Sequence, residues 1–263
     1  MIHNHDFQHN GLTLRSTVHV PDGPVSARHP TVVLVHGFAN NRMEGGASFV
    51  RMSRLLAEHG IASVRADLSG HGESDGDFFD VTITGEIGDA RSVLREVREF
   101  AFVDPGRIGL VGMSMGGVVA GIVAAEEPGV RALCLWSPAA VAPFEVGAGH
   151  LKGRDIAAEI NEKGYFDADS HRMSPALVED ISNLDVYGRS APYDGPVRII
   201  HGDKDDIAPI EYARRYLDHY SGNAELETVP GADHGWGTVP HRTRLHSSTL
   251  GFFREHLEHT DHE

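Results

Sequence analysis

A serine set between two glycines, Gly112-Met-Ser114-Met-Gly116, is the first feature of this chain that could do chemistry. A serine hydroxyl becomes a useful nucleophile when a sharp strand-to-helix turn lifts it clear of the backbone, and side chains on the flanking residues would collide there. A chain with 30 glycines can reach this spacing by accident, and this one repeats it at Gly72-Glu-Ser74-Asp-Gly76. Context separates the two. Ser114 follows the apolar run Ile108-Gly-Leu-Val-Gly112 and opens a stretch of small apolar residues, 116–125, suited to a buried helix. Ser74 lies among polar, glycine-rich residues with neither neighbour, and it reads as a loop residue.

The hydroxyl needs a base, commonly a histidine oriented by a carboxylate. With 18 histidines, position has to choose. His234 stands in Pro-Gly-Ala-Asp-His234-Gly-Trp, a glycine-bounded loop after the last expected strand, 225–229. That is the carboxyl end of a strand, where an open α/β sheet carries its sites. The acid is expected after the run 197–201, in Gly202-Asp203-Lys-Asp205-Asp206, where three carboxylates compete. Asp205, in mid-loop, is best placed to reach across. Asp203 is close to the strand end and suited to bracing the turn, while Asp206 abuts the next helix. Asp233 reads as a brace of the histidine loop. Acyl transfer further requires backbone N–H donors for the developing oxyanion. Met115, directly after the serine, is one. Phe38, following His36-Gly37 after the run 31–35, is the other.

Elements must hold these residues in place. Four nearly continuous apolar runs, 31–35, 62–66, 108–112 and 132–136, read as strands buried on both faces, and 197–201 and 225–229 follow late in the chain. Residues 12–20 alternate and end at Pro21, as in an edge or hairpin strand pairing near Phe7. Helical patterns cover 49–59, 83–102, 114–127, 210–220 and 243–259. Strand and helix in alternation define a mostly parallel twisted α/β sheet with helices on both faces. Residues 137–196 break the rhythm. They pass without a strand and hold helical fragments at 155–163 and 175–185, which predicts a small inserted cap. The core domain then comprises 1–136 and 197–263.

Composition bounds the partners. The 263 residues are 40% hydrophobic and 23% charged, ordinary for a folded domain, and 23 basic against 38 acidic side chains give a net charge of −15. Such acidity disfavours nucleic acid and anionic membranes. No apolar run has the length of a membrane span, residues 1–15 lack the basic start and apolar stretch of an export signal, and the lone Cys134 permits no internal disulfide. These features suggest a cytoplasmic protein, and a homodimer stays open.

Taken together, His36-Gly37-Phe38, Asp67-Leu-Ser-Gly-His-Gly-Glu-Ser-Asp-Gly76, Gly112-Met-Ser-Met-Gly-Gly117, His201-Gly-Asp-Lys-Asp205 and Gly231-Ala-Asp-His234 resemble the α/β-hydrolase family over nearly the whole chain. The stretches 60–77 and 104–112 are similar to the cinnamoyl or feruloyl esterases within it. The resemblance implies an α/β-hydrolase fold and a serine carboxylester hydrolase acting on a small ester, hydroxycinnamoyl (feruloyl) or short-chain acyl. Ser114, His234 and Asp205 form its triad, Phe38 and Met115 its oxyanion hole, and no cofactor or metal is implied.

The same triad serves a peptidase or amidase, a monoacylglycerol lipase, a carbon–carbon bond hydrolase, or a ligand-binding receptor with residual hydrolase activity. A lipase would favour an apolar cap, whereas this one carries Glu145, Lys152, Arg154, Asp155 and Glu159. Tyr165, Phe166, Trp136 and Trp236 are candidates to line the substrate pocket. His3, His5, His9, His256, His259 and His262 complete no zinc pattern and read as solvated termini, and Cys134 reads as a core residue.

Overall fold

The structure is a computed structural model that describes residues 1–24, 26–168 and 170–257. Two strands open the chain, β1 (Ile2–His9) and β2 (Leu12–His19), followed by β3 (His29–Val35), helix α1 (Ser48–Glu58), β4 (Ala62–Ala66), α2 (Ile83–Val97), β5 (Val103–Met113), α3 (Met115–Glu126) and β6 (Val130–Trp136). Next come α4 (Ala142–Gly147), β7 (His150–Leu151), β8 (Arg154–Asp155), α5 (Ile156–Lys163), β9 (Phe166–Ala168), β10 (His171–Met173), α6 (Pro175–Ser182) and α7 (Val186–Ser190). The chain closes with β11 (Val197–Gly202), α8 (Ile210–His219), β12 (Ala224–Val229) and α9 (Val239–Leu257).

One eight-stranded sheet runs β1-β2-β4-β3-β5-β6-β11-β12. β1 and β2 pair antiparallel, with Phe7 opposite Leu14 as the alternating pattern predicts, and β2 lies antiparallel to β4. Every pairing from β4 to β12 is parallel, so the strands point their carboxyl ends the same way. Helices cover both faces. Ile87, Val93 and Leu94 of α2, the apolar length of α3 and Tyr216 of α8 bury one face. Phe49, Met52 and Leu56 of α1 meet Leu245, Phe252 and Phe253 of α9 on the other. The indole Nε1–H of Trp136 donates to Thr249 Oγ1 at 2.8 Å, which ties β6 to α9.

Some elements differ from their sequence patterns. The helix expected over 83–102 stops at Val97, and the chain turns through Phe100 before β5 begins at Val103. The last helix starts at Val239, because Pro240 falls in its first turn where a missing N–H costs nothing. Its expected end at His259, like His262, lies outside the described residues. The segment 137–196 does contain strands. β7 pairs with β8 and β9 with β10, as antiparallel pairs too short for a period of two to show in the sequence. Its final helix, α7, packs on α3 and α8 of the core, and Tyr187 Oη–H donates to Tyr212 O at 2.7 Å. Among the described residues no helix is long and apolar enough to cross a membrane.

Candidate active site

Ser114 sits where β5 gives way to α3, with φ 56° and ψ −121°. A left-handed backbone at a residue with a Cβ costs about 1–3 kcal/mol and persists only where the surroundings enforce it. They do so here. The Ser114 N–H donates to Trp136 O at 2.9 Å. A Cβ on Gly112 would lie 2.1 Å from Gly116 O, and one on Gly116 would lie 2.2 Å from His36 O. Both glycines of the motif are therefore required by close backbone approach, and the serine side chain is the one left free to project.

His234 and Asp205 arrive from the loops after β12 and β11. Ser114 Oγ lies 2.9 Å from His234 Nε2, and His234 Nδ1 lies 2.8 Å from Asp205 Oδ2. A carboxylate only accepts, so Nδ1 carries the proton and Nε2 offers its lone pair to the serine O–H. This is the arrangement in which a hydroxyl can be deprotonated as it attacks. Asp205 Oδ1 accepts from the amides of Ile207 (3.1 Å) and Ala208 (2.7 Å), which fixes the carboxylate plane. Burial alone would raise the Asp205 pKa. The N–H groups of His201 and His234 and the Ala208 amide outweigh it and hold Asp205 well below the usual carboxylate range. The other two carboxylates take no part in this chain. Asp203 accepts from Gly231 N–H at 2.7 Å and Asp206 is exposed. Asp233 braces its loop through Gly237 N–H at 2.8 Å.

Two loops from different strands can aim this well because they are bound to each other. The Lys204 N–H donates to Ala232 O at 3.0 Å, and a Cβ on Gly202 would lie 2.1 Å from the same oxygen. His201 adds a contact that the sequence reading did not assign. Its Nε2 lies 2.7 Å from Ala208 O and 3.2 Å from Asp205 Oδ2, so its N–H is shared between them.

The opposite wall is the turn after β3. The Phe38 N–H has no acceptor among the described residues, and Met115, first in α3, has none within its helix. His36 secures the turn from below. Burial pushes its pKa down to about 3, so the ring is neutral. Nδ1–H donates to Gly37 O at 2.9 Å, and Nε2 accepts from Leu68 N–H at 3.1 Å. Glu44 went unnoticed in the sequence. From a left-handed backbone, φ 57°, its carboxylate accepts from Gly37 N–H (2.8 Å), Gly45 N–H (2.9 Å) and the Asn40 side-chain amide. Burial comes first among its influences and leaves its pKa raised despite these donors.

Two cavities meet at Ser114, His234 and Phe38. The larger, about 370 Å³, runs under residues 137–196 and has Val141, Leu151, Phe166, Met173 and Ile181 among its walls. It is mostly apolar although Glu145, Lys152 and Arg154 also line it. Arg154 is occupied by Glu159 at 2.7 and 2.6 Å and lies 4.5 Å above the Phe166 ring. The smaller cavity, about 210 Å³, lies on the side of Glu44, Trp136 and Trp236. Phe166, Trp136 and Trp236 thus reach the site, and Tyr165 lines neither cavity.

Other residues fall elsewhere. His5 Nε2 contacts Glu96 at 2.7 Å, and His256 packs edge-on against Phe252. Cys134 is fully buried in β6, with its thiol pushed up to about 12 by burial. Among the described residues no group of three or more His, Cys, Asp or Glu side chains could hold a metal ion.

The strand order, the strained serine and the facing histidine loop define a hydrolase fold, and the alpha/beta hydrolase family matches residues 32–244. The chain belongs to that family. Est1E from Butyrivibrio proteoclasticus, solved with ferulic acid bound, superposes with a TM-score of 0.88 at 28% identity, covering 97% of this chain and 100% of that one. YitV of Bacillus subtilis is 25% identical over 243 residues, 87% of this chain and 89% of its own. The mitochondrial palmitoyl-protein thioesterase ABHD10 of Mus musculus is 26% identical over 206 residues, 74% of this chain and 65% of its own.

Proposed function

We propose that the protein is a serine carboxylester hydrolase in which Ser114 is the nucleophile, His234 the base and Asp205 the residue that orients it. The observation carrying this reading is the continuous hydrogen-bond path from Ser114 Oγ through the imidazole to Asp205, with a cavity open to the serine. Ser114 Oγ bonds to the ester carbonyl carbon as its proton passes to His234 Nε2. The oxyanion is held by the Phe38 and Met115 amides, whose donors need no reorientation as charge develops. When the C–O bond breaks, His234 returns the proton to the departing alcohol, and water activated by the same ring releases the acid.

Residues 137–196 act as the cap over the acyl group. The apolar cavity of about 370 Å³ is of the size that holds small molecules, and it suits a hydroxycinnamoyl or short-chain acyl group. The likeness to Est1E, with its bound ferulic acid, favours the aromatic acyl. The single buried cysteine fits action in the cytoplasm. The test is hydrolysis of p-nitrophenyl butyrate and methyl ferulate by the wild type and by Ser114→Ala. Turnover of either ester that disappears in the variant supports the assignment. Wild-type rates in Ser114→Ala would end it.

A further inference from the structure

Two imidazoles face the Asp205 carboxylate, and the hydrolytic reading uses only one of them. His201 stands near the end of β11, four residues before Asp205, and the turn between them brings the two side chains together with no exposed area on either. Beside the buried Ile199 and Ile200, an apolar residue would fill this strand position at less desolvation cost, so a histidine there needs partners. It has them at one nitrogen. Nε2 lies 2.7 Å from Ala208 O and 3.2 Å from Asp205 Oδ2, and two acceptors require the hydrogen to sit on Nε2. Nδ1 has no hydrogen-bond partner among the described residues. Four N–H groups thus face the carboxylate: Ile207 and Ala208 at Oδ1, His234 Nδ1 and His201 Nε2 at Oδ2. Four is about what its lone pairs can accept. The His201 ring also holds the far end of the Asp205–Ala208 turn, since Ala208 gives its N–H to Oδ1 and takes the His201 N–H at its carbonyl.

Resting on the serine-esterase reading, we propose that His201 is a positioning residue of the site, which braces the Asp205 carboxylate and limits the negative charge that Asp205 presents to His234. Each donor at Oδ2 draws off part of the charge by which the carboxylate stabilises an imidazolium. With His201 in place, Asp205 orients the His234 ring and supports its protonated form as Ser114 attacks, without holding the ring protonated before an ester arrives. His201 lines neither cavity, so it acts through Asp205 and touches no part of the ester. The other charged groups about the two rings are Asp203, Lys204, Asp206 and Asp233 on the two loops and Glu44 after β3. Glu145, Lys152, Arg154 and Asp167 face His234 across the larger cavity. All of these stay in place when His201 alone is changed.

The test is the pH profile of kcat/KM for the full chain as wild type, His201→Leu and His201→Gln, with whichever of p-nitrophenyl butyrate and methyl ferulate the wild type turns over faster. Leucine removes the donor, whereas glutamine places an amide N–H near the position of Nε2. The expected result is an acid limb about half a pH unit higher in His201→Leu, because charge released at Oδ2 falls on His234, and a limb back at the wild-type position in His201→Gln. The limb is read from the shape of the profile, so it is measurable even where a variant retains only part of its activity. An acid limb that stays in place or moves down in His201→Leu marks a ring that only packs. That result overturns the proposal, while Ser114-dependent turnover keeps the esterase reading. A limb that rises as far in His201→Gln as in His201→Leu overturns it equally, since the donor is then not what matters. No Ser114-dependent turnover of either ester overturns both.

Discussion

Two serines in this chain share one five-residue spacing, and the structure gives them opposite jobs. Ser114 projects from a strained backbone and meets His234 Nε2 at 2.9 Å. Ser74 accepts from Arg15 N–H at 2.8 Å and donates to Asp67 O at 2.7 Å, so its hydroxyl is consumed in holding the loop after β4 against β2. Each also has a histidine–carboxylate pair in its neighbourhood. Next to Ser114, Asp205 is surrounded by N–H donors and is held ionised. In the Ser74 loop, His71 Nδ1–H donates to Ser69 O, which leaves Nε2 facing Glu86 Oε1 at 3.6 Å. Glu86 is buried without such donors, and burial pushes its pKa up to about 8. The same residue types make a continuous hydrogen-bond path to a serine where the carboxylate is solvated by the protein, and a neutral buried buttress where it is not.

The largest effect that could break this contrast is loss of the nucleophile. Ser114→Ala should lower kcat for p-nitrophenyl butyrate by ~10⁴-fold or more, whereas Ser74→Ala should leave it within about threefold. Asp205→Asn should lower kcat by ~10³–10⁴-fold by favouring the wrong tautomer of His234, and Asp203→Asn should change it little. Steady-state kinetics on the four variants decides both comparisons. Ser74→Ala instead should cost about 1–2 kcal/mol, from two hydrogen bonds, and lower Tm by several degrees in calorimetry.

The effect furthest from the two serines concerns pH. Glu86 is raised from 4.5 to about 8 on folding. Below pH 4.5 both states hold the proton. Between about 4.5 and 8 the folded state keeps a proton that the unfolded chain releases, so this group's contribution to stability falls as pH rises through that window. Glu86→Gln should therefore gain on the wild type from pH 5 to pH 8 in urea unfolding. A constant difference across that range would show Glu86 ionised in the fold.

What the sequence disclosed follows from locality. Ser114 and Asp205 lie just past apolar strand runs and His234 just past the half-polar strand 225–229, and a parallel sheet carries all three ends to one edge. Phe38 and Met115 follow from the same registration. Glu44 was invisible because its role depends on a left-handed turn and on a backbone amide seven residues away, which no side-chain pattern records. His201 was legible only as the end of a strand, although its spacing of four from Asp205 brings the two side chains together. In residues 137–196 the short strands gave no period, so nothing separated the facing of Tyr165 from that of Phe166. There the charges misdirected too, since Arg154 is tied to Glu159 and roofs an apolar cavity.

The central claim is that one serine of the two is reactive, and covalent capture tests it most directly. A fluorophosphonate probe, followed by peptide mass spectrometry of the intact chain, should give a single adduct on Ser114, lost in His234→Ala and unchanged in Ser74→Ala. An adduct on the Ser74 peptide, or ester hydrolysis by a protein that the probe never labels, would contradict it.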